Sequence, residues 1–217
     1  MAKDELINKF NYIGTRPNRP DGLDKVTGRA KYGADFNAPN MLHAAVLRSP
    51  HAHARIIKID TSKAEALSGV KAFVTRADFP TGLKGEDFYL QENTIAGDRV
   101  LYDGHAVAAI AATSALVAKD AIKLIEVEYE ILPHVTDVDE AMRPDAPVIR
   151  EGAQDQTVPE GSPANIVSYM DFGHGDLETG FSNADLVMEN TYKTEAAHQG
   201  YIEPHACVGQ LGQDGKG

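Results

Sequence analysis

Eight histidines give this sequence its first chemical possibility, a metal centre. His51 and His53 flank Ala52, and on a strand a spacing of two points both side chains to one face, an arrangement that metal sites use. No second cluster of Asp, Glu or Cys follows at ligand spacing, so the pair reads as structural or surface residues. Gly104-His105 precedes an apolar run. It reads either as a ligand loop at a sheet edge or, preferably, as a tight turn whose histidine is satisfied by backbone. Gln199-Gly-Tyr-Ile-Glu203-Pro-His205 is denser in functional groups. Glu203 and His205 can face one pocket together, or Glu203 can pair with an arginine in the core. Both readings stay open.

Other familiar chemistry is missing. Gly173-His-Gly-Asp-Leu-Glu-Thr-Gly180 resembles a dinucleotide loop only superficially, because Glu178 stands where the third glycine belongs. There is no P-loop and no Gly-x-Ser-x-Gly elbow. Cys207, the one cysteine, lacks the signature of a nucleophile and reads as a small buried hydrophobe on a strand. Alone it can form no internal disulfide and hold no iron–sulfur cluster or structural zinc.

The elements that would position such groups follow from periodicity. Residues 1–19 form an arm rich in turn residues, with Thr15-Arg-Pro-Asn-Arg-Pro20 at its end. Strands are predicted over 42–47, 54–59 and 70–75. A short helix over 61–67 lies between the second and third, with Ser62 as N-cap, Glu65 completing a capping box and Gly69 ending it. Residues 83–98 are polar and loop-like. Residues 106–112 are an apolar run suited to a strand buried on both faces. Ser114 caps a helix through Ile125 whose apolar face carries Leu116, Val117, Ala121, Leu124 and Ile125, and a strand over 127–131 ends at Pro133. Alternating strands and helices predict α/β units with helices covering a sheet. Residues 143–162, rich in Pro and Gly, read as a linker. Beyond it come a short helix over 176–181 and strands over 184–195 and 206–211. Asp214-Gly215 then signals a hairpin turn without a second arm. This implies either a cut polypeptide, the preferred reading, or a strand supplied by another chain.

Composition bounds the partners. A chain of 217 residues can bury about 70% of the surface its unfolded form exposes, enough for a sizeable core. The net charge of −11 and the scattering of Lys and Arg argue against nucleic acid. No apolar stretch reaches the ~18 residues of a membrane span, and the acidic start lacks a signal peptide's apolar core. A cytoplasmic protein is expected.

Several stretches together resemble the molybdenum hydroxylase large subunit, the xanthine dehydrogenase and aldehyde oxidase family. They are Asp24-Lys-Val-Thr-Gly-Arg-Ala-Lys-Tyr32 with Asp35, then Leu47-Arg-Ser-Pro-His-Ala-His-Ala-Arg-Ile56 with Ile59-Asp60 and Gly69-Val70. Val100-Leu-Tyr-Asp-Gly-His-Ala-Val-Ala-Ala-Ile110 is similar to the family's central strand. Residues 118–121 with Val127-Glu-Tyr-Glu-Ile-Leu-Pro133 resemble the helix and strand after it. Gly175-Asp-Leu-Glu178 with residues 181–185, and Gln199 to His205, resemble segments of the next domain. Any one is weak; six in the family's order cover nearly the whole chain.

The resemblance implies a mixed fold, α+β or α/β: an arm over 1–19, an α/β hammerhead domain over 20–135, a linker over 136–162 and the incomplete start of a molybdopterin-binding domain over 163–217. It implies part of an oxidoreductase in which molybdopterin-bound molybdenum acts on a small molecule, with 2Fe–2S clusters and FAD on partner domains or subunits. The substrate stays open among purine, aldehyde, aryl-CoA, nicotinate-like compounds and CO. The alternative is a non-catalytic module docking on the molybdenum, FAD and Fe–S subunits. The family's oxo-contacting Gln, glycine-rich loop and catalytic Glu do not occur in this sequence, and Gln199 matches an earlier motif. No catalytic, cofactor-binding or metal-binding residue is therefore carried over, and the isolated chain is expected to be inactive and to hold no cofactor.

Overall fold

The computed structural model describes residues 11–214. Two compact units result: residues 40–188, and the chain on either side of them, described over 11–39 and 189–214.

The larger unit is built on six strands, β1 (His43–Arg48), β2 (Ala54–Asp60), β3 (Val70–Val74), β4 (Arg99–Val100), β5 (Ala106–Ala112) and β6 (Glu126–Ile131). They form two three-stranded sheets in the orders β1-β5-β3 and β4-β2-β6, with every pairing antiparallel. The helices among the described residues are, in chain order, α1 (Gly22–Val26) in the smaller unit, then α2 (Ser62–Glu65), α3 (Gly85–Thr94), α4 (Ala115–Ile122), α5 (Val138–Ala141) and α6 (Leu177–Ser182).

Strand β5 is central because its sequence carries no polar side chain. Val107 packs with Ala54, Ala96 and Val100, whereas Ala108 and Ile110 pack with Ala64, Ala121 and Ile125. Successive strand residues face opposite ways, so one strand feeds two cores. Its alanines leave room for α4, whose Ala118 and Ala121 are buried. That helix starts where Ser114 Oγ accepts the Val117 N–H at 3.2 Å. Leu116, expected on its apolar face, is 70% exposed. Gly69 has φ +97°, and a Cβ there would come within 2.9 Å of Thr113 Oγ1, so only glycine turns the chain from α2 into β3.

Several expectations are corrected. Residues 85–94 of the anticipated loop form α3, whose one buried residue is Gln91. No apolar stripe announces it, and the acidic first turn, Glu86 and Asp87, suits a helix N-terminus. Thr61, not Ser62, is the N-cap of α2; Ser62 instead donates backbone N–H and Oγ to Asp60 Oδ1 at 3.1 and 2.6 Å. These bonds and Lys58 hold the Asp60 carboxyl down at about 2. Residues 184–195 and 206–211 form no strand: a strand exists only where a neighbour accepts its ladder, and no described segment does so. The hairpin reading shares this correction at 206–211, and its Gly215 lies outside the described residues. Cys207 is exposed, not buried on a strand.

No helix among the described residues is long and apolar enough to cross a membrane.

If β5 carries the two cores, Ile110→Ala should lower unfolding free energy by about 3 kcal/mol, against about 1 kcal/mol for the cap replacement Ser114→Ala. Urea denaturation of both variants tests this ranking; equal losses would contradict the central role of β5.

Candidate functional site

The deepest polar group of the larger unit is His105, fully buried at the turn into β5. Its Nδ1 accepts the Leu101 N–H at 3.2 Å, so Nε2 carries the ring hydrogen and donates it to the Glu92 carbonyl at 2.8 Å. Tyr102 stacks on the ring at a centroid distance of 4.3 Å. Burial is the largest influence on this imidazole and pushes its pKa below the ordinary 6.5; Arg150 pushes the same way, against an opposing pull from Glu92. The ring is a neutral bridge between α3 and the loop before β5. With both nitrogens committed to backbone it has no capacity to shuttle a proton.

Beside it, Arg150 fastens the irregular segment after α5 to α3. Its Nε stands 2.9 Å from Glu92 Oε2, both side chains being less than a quarter exposed. The contact is ionic and not an aligned hydrogen bond, for that oxygen has no hydrogen-bond partner. Arg150 Nη2 donates to Asn93 Oδ1 at 3.3 Å, and the guanidinium lies 4.7 Å from the Tyr89 ring centroid, a cation–π distance. Asn165 staples the same segment internally: its Nδ2 donates to the Ala141 and Pro147 carbonyls, each at 3.1 Å, and its Oδ1 accepts the Ile149 N–H. The stretch read as a linker is thus irregular yet internally bonded.

A cavity of about 600 Å³ lies alongside, lined among others by Tyr89, Glu92, Asp98, Arg99, Arg150 and Asp155. Its size suits a small molecule, but its charge does not suit a phosphate-bearing one. Glu92, Asp98, Glu151 and Asp155 outnumber the two arginines, and both arginines face carboxylates.

The residues singled out by sequence fall elsewhere. His51 and His53 lie in the bend before β2 and not on a strand, so their spacing does not align them. His53 Nδ1 donates to the Pro133 carbonyl at 2.8 Å, and its buried Nε2 has no partner; His51 meets Tyr129 edge-on. The glycine-flanked stretch 173–180 is a helix cap: Asp176 Oδ1 accepts the Thr179 N–H at 3.1 Å, and these bonds hold the Asp176 carboxyl below its usual range. In the smaller unit Glu203 accepts the Gly33 N–H at 2.9 Å and, among the described residues, forms no ion pair with an arginine, while His205 stacks on Tyr201. Gln199 has no side-chain bond among the described contacts that assigns it a role. The polar hub itself, α3 with Arg150, was missed by sequence reasoning, because a polar helix and a Pro-rich segment carry no periodic signal.

The comparisons with known proteins bear on this arrangement. Residues 27–133 match the profile described as "Aldehyde oxidase and xanthine dehydrogenase, a/b hammerhead domain", and residues 158–217 match "Molybdopterin cofactor-binding domain". The chain belongs to the molybdenum hydroxylase large-subunit family. It is 38% identical over 97% of its length to a probable xanthine dehydrogenase subunit from Bacillus subtilis, covering 26% of that protein. It is 32% identical over 99% to the nicotinate dehydrogenase large molybdopterin subunit of Eubacterium barkeri, covering 47% of it. Among solved structures, a Cu,Mo-CO dehydrogenase superposes with a TM-score of 0.65 at 34% identity, over 80% of this chain and 23% of that one. The chain thus spans between about a quarter and a half of the length of the family members it matches.

Within the family profile for the cofactor, the described residues 168–214 are exposed throughout and offer no buried polar side chain that would hold molybdopterin. Of the two cavities that border Val167, one is lined by Glu92, Asp98, Glu151 and Asp155 and the other by Arg150, Asn93 and Asn165.

Two outcomes test the hub. Arg150→Ala should cost about 1–2 kcal/mol by leaving Glu92 half-buried and unpaired, and should open residues 149–167 to protease. For His105, a folded pKa below the unfolded 6.5 means that its contribution is complete above pH 6.5 and lost as pH falls below it. Urea titrations from pH 8 to 5 should show this acid limb, shallower in His105→Gln; a limb the replacement does not change assigns it to other groups.

Proposed function

We propose that this chain forms the hammerhead part and the opening of the cofactor-binding part of a molybdenum-dependent dehydrogenase or hydroxylase that oxidises a small molecule. The carrying observation is the match of two family profiles in order, hammerhead before molybdopterin-binding, joined by 32–38% identity to dehydrogenase large subunits over almost the whole chain. In this reading residues 20–135 serve as the hammerhead domain, and residues from 163 open the cofactor domain. The hub at α3 stiffens the body and does no chemistry, in keeping with its fully engaged histidine and paired charges.

The reading extends to partners. In the complete subunit, molybdopterin supplies the redox chemistry, and 2Fe–2S and FAD components on partner domains or subunits carry the electrons away. Apolar side chains left in solvent here, such as Met188 at 78% and Ile202 at 100% exposure, are covered by further large-subunit chain.

The test compares the 217-residue chain with the full large subunit expressed with its partners. Stoichiometric molybdenum and dye reduction by one of xanthine, nicotinate, an aldehyde or CO are expected in the full assembly, and neither in the short chain. Molybdenum retained by the short chain would overturn the division of labour; a full assembly without molybdenum would overturn the enzyme reading itself.

A further inference from the structure

We infer that Glu203 is a clasp that fastens the arm at residues 19–35 to the segment His198–His205, giving that motif an internal docking role. Both sides lie in the smaller unit. On the arm, Tyr32 is followed by a single 3₁₀ turn, Gly33–Asp35, in which Asp35 Oδ2 accepts the Tyr32 N–H at 3.0 Å. Closing the turn this way leaves the Gly33 N–H pointing outward, and Glu203 Oε1 accepts it at 2.9 Å across 170 residues of sequence. The two segments lie close, for a Cβ on Gly33 would stand 3.2 Å from the Ala206 Cβ and 3.7 Å from Glu203 Oε1.

The receiving side is set by stacked rings. Tyr201 lies 4.4 Å from His205, nearly parallel, and 4.8 Å from His198 at a steep angle. This stack brackets Ile202, Glu203 and Pro204, the three residues that face Arg19, Lys25 and Tyr32 of the arm across a cavity of about 620 Å³. The proline has no N–H to spend on a competing bond and a fixed φ, so the carboxylate is presented from a constrained segment. The dense group Gln199 to His205 thereby acts through rings that shape the chain and one carboxylate that holds the arm.

The clasp stands apart from the molybdenum reading, because its bonds are made within this chain. Its test uses paired cysteines, Gly33→Cys with Ala206→Cys, in a Cys207→Ser background. The 3.2 Å between the two Cβ positions is a few tenths short of disulfide geometry, so oxidation should link them, as read by mass spectrometry. In the chain without those cysteines, Glu203→Ala should speed tryptic cleavage after Arg29 and Lys31 by about 2- to 10-fold, the range for one lost hydrogen bond. Glu203→Gln, which keeps the Oε1 acceptor, should restore the slower rate, and cleavage within residues 40–188 should not change. Failure of the pair to link, an arm rate unaffected by Glu203→Ala, a Gln variant that behaves like Ala, or faster cleavage everywhere would each overturn the clasp. The linking arm reads proximity even if Glu203→Ala unfolds.

Discussion

The fold rests on the demand that seven apolar residues in a row impose. Residues 106–112 cannot offer a polar face to water, so β5 must be covered on both sides and paired on both edges. Its pairing with β1 and β3 satisfies its backbone, and the two cores satisfy its side chains. Everything near it is shaped to fit. Alanines in β5 and α4 let helix and sheet approach closely, and Gly69 makes room beside Thr113. The second sheet brings Ala54 and Val100 to the opposite face. Replacing small residues here overfills a dense core, as removing large ones empties it.

The polar architecture is subordinate to that demand. Where β5 begins, the chain must turn while burying an imidazole, and the ring is tolerated because two backbone groups satisfy it. The same bonds tie α3 to the loop, and α3 in turn offers Glu92 and Asn93 to Arg150. A general acid or base needs one free nitrogen and a reachable reactant; His105 has neither. Rigidity and reactivity compete for the same lone pairs, and at this site rigidity has taken them.

What was legible in the sequence divides along physical lines. Strong apolar period was readable: β1, β2, β3, β5 and β6 lie within a residue or two of expectation, Ser114 caps the helix expected of it, and the short helix expected over 176–181 forms as α6. The family resemblance was also legible, because it depends on residue order and not on contacts. Helix α3 was not, since its stability comes from partners that are remote in sequence, Pro80 on Gln91 and Arg150 on Glu92. Strands at 184–195 and 206–211 were inferred from β-propensity, which measures fit to a sheet that must already exist. The structural role preferred for His51 and His53 agrees with their contacts, the Pro133 carbonyl and the Tyr129 ring, in the bend before β2.

The two units differ in how far their physical demands are met. In residues 40–167 the cores, the His105 bridge and the Asn165 staple meet most polar and apolar demands within the chain, whereas residues 168–188 are exposed throughout. In residues 189–214 the apolar demand is not met: Tyr192 and Ile202 stand in solvent and no ladder forms. Hydrophobic gain of about 25 cal/mol per Å² has little buried surface there to act on, and ring stacking with the Glu203 bond to Gly33 opposes conformational entropy. Sequence with high strand propensity therefore forms no strand there. The hammerhead profile falls mainly on the larger unit, while the cofactor profile begins in its exposed end and runs on into the smaller one. A cofactor site demands more preorganisation than a fold does, so the part of the chain whose own packing is unmet is the part least able to build one alone.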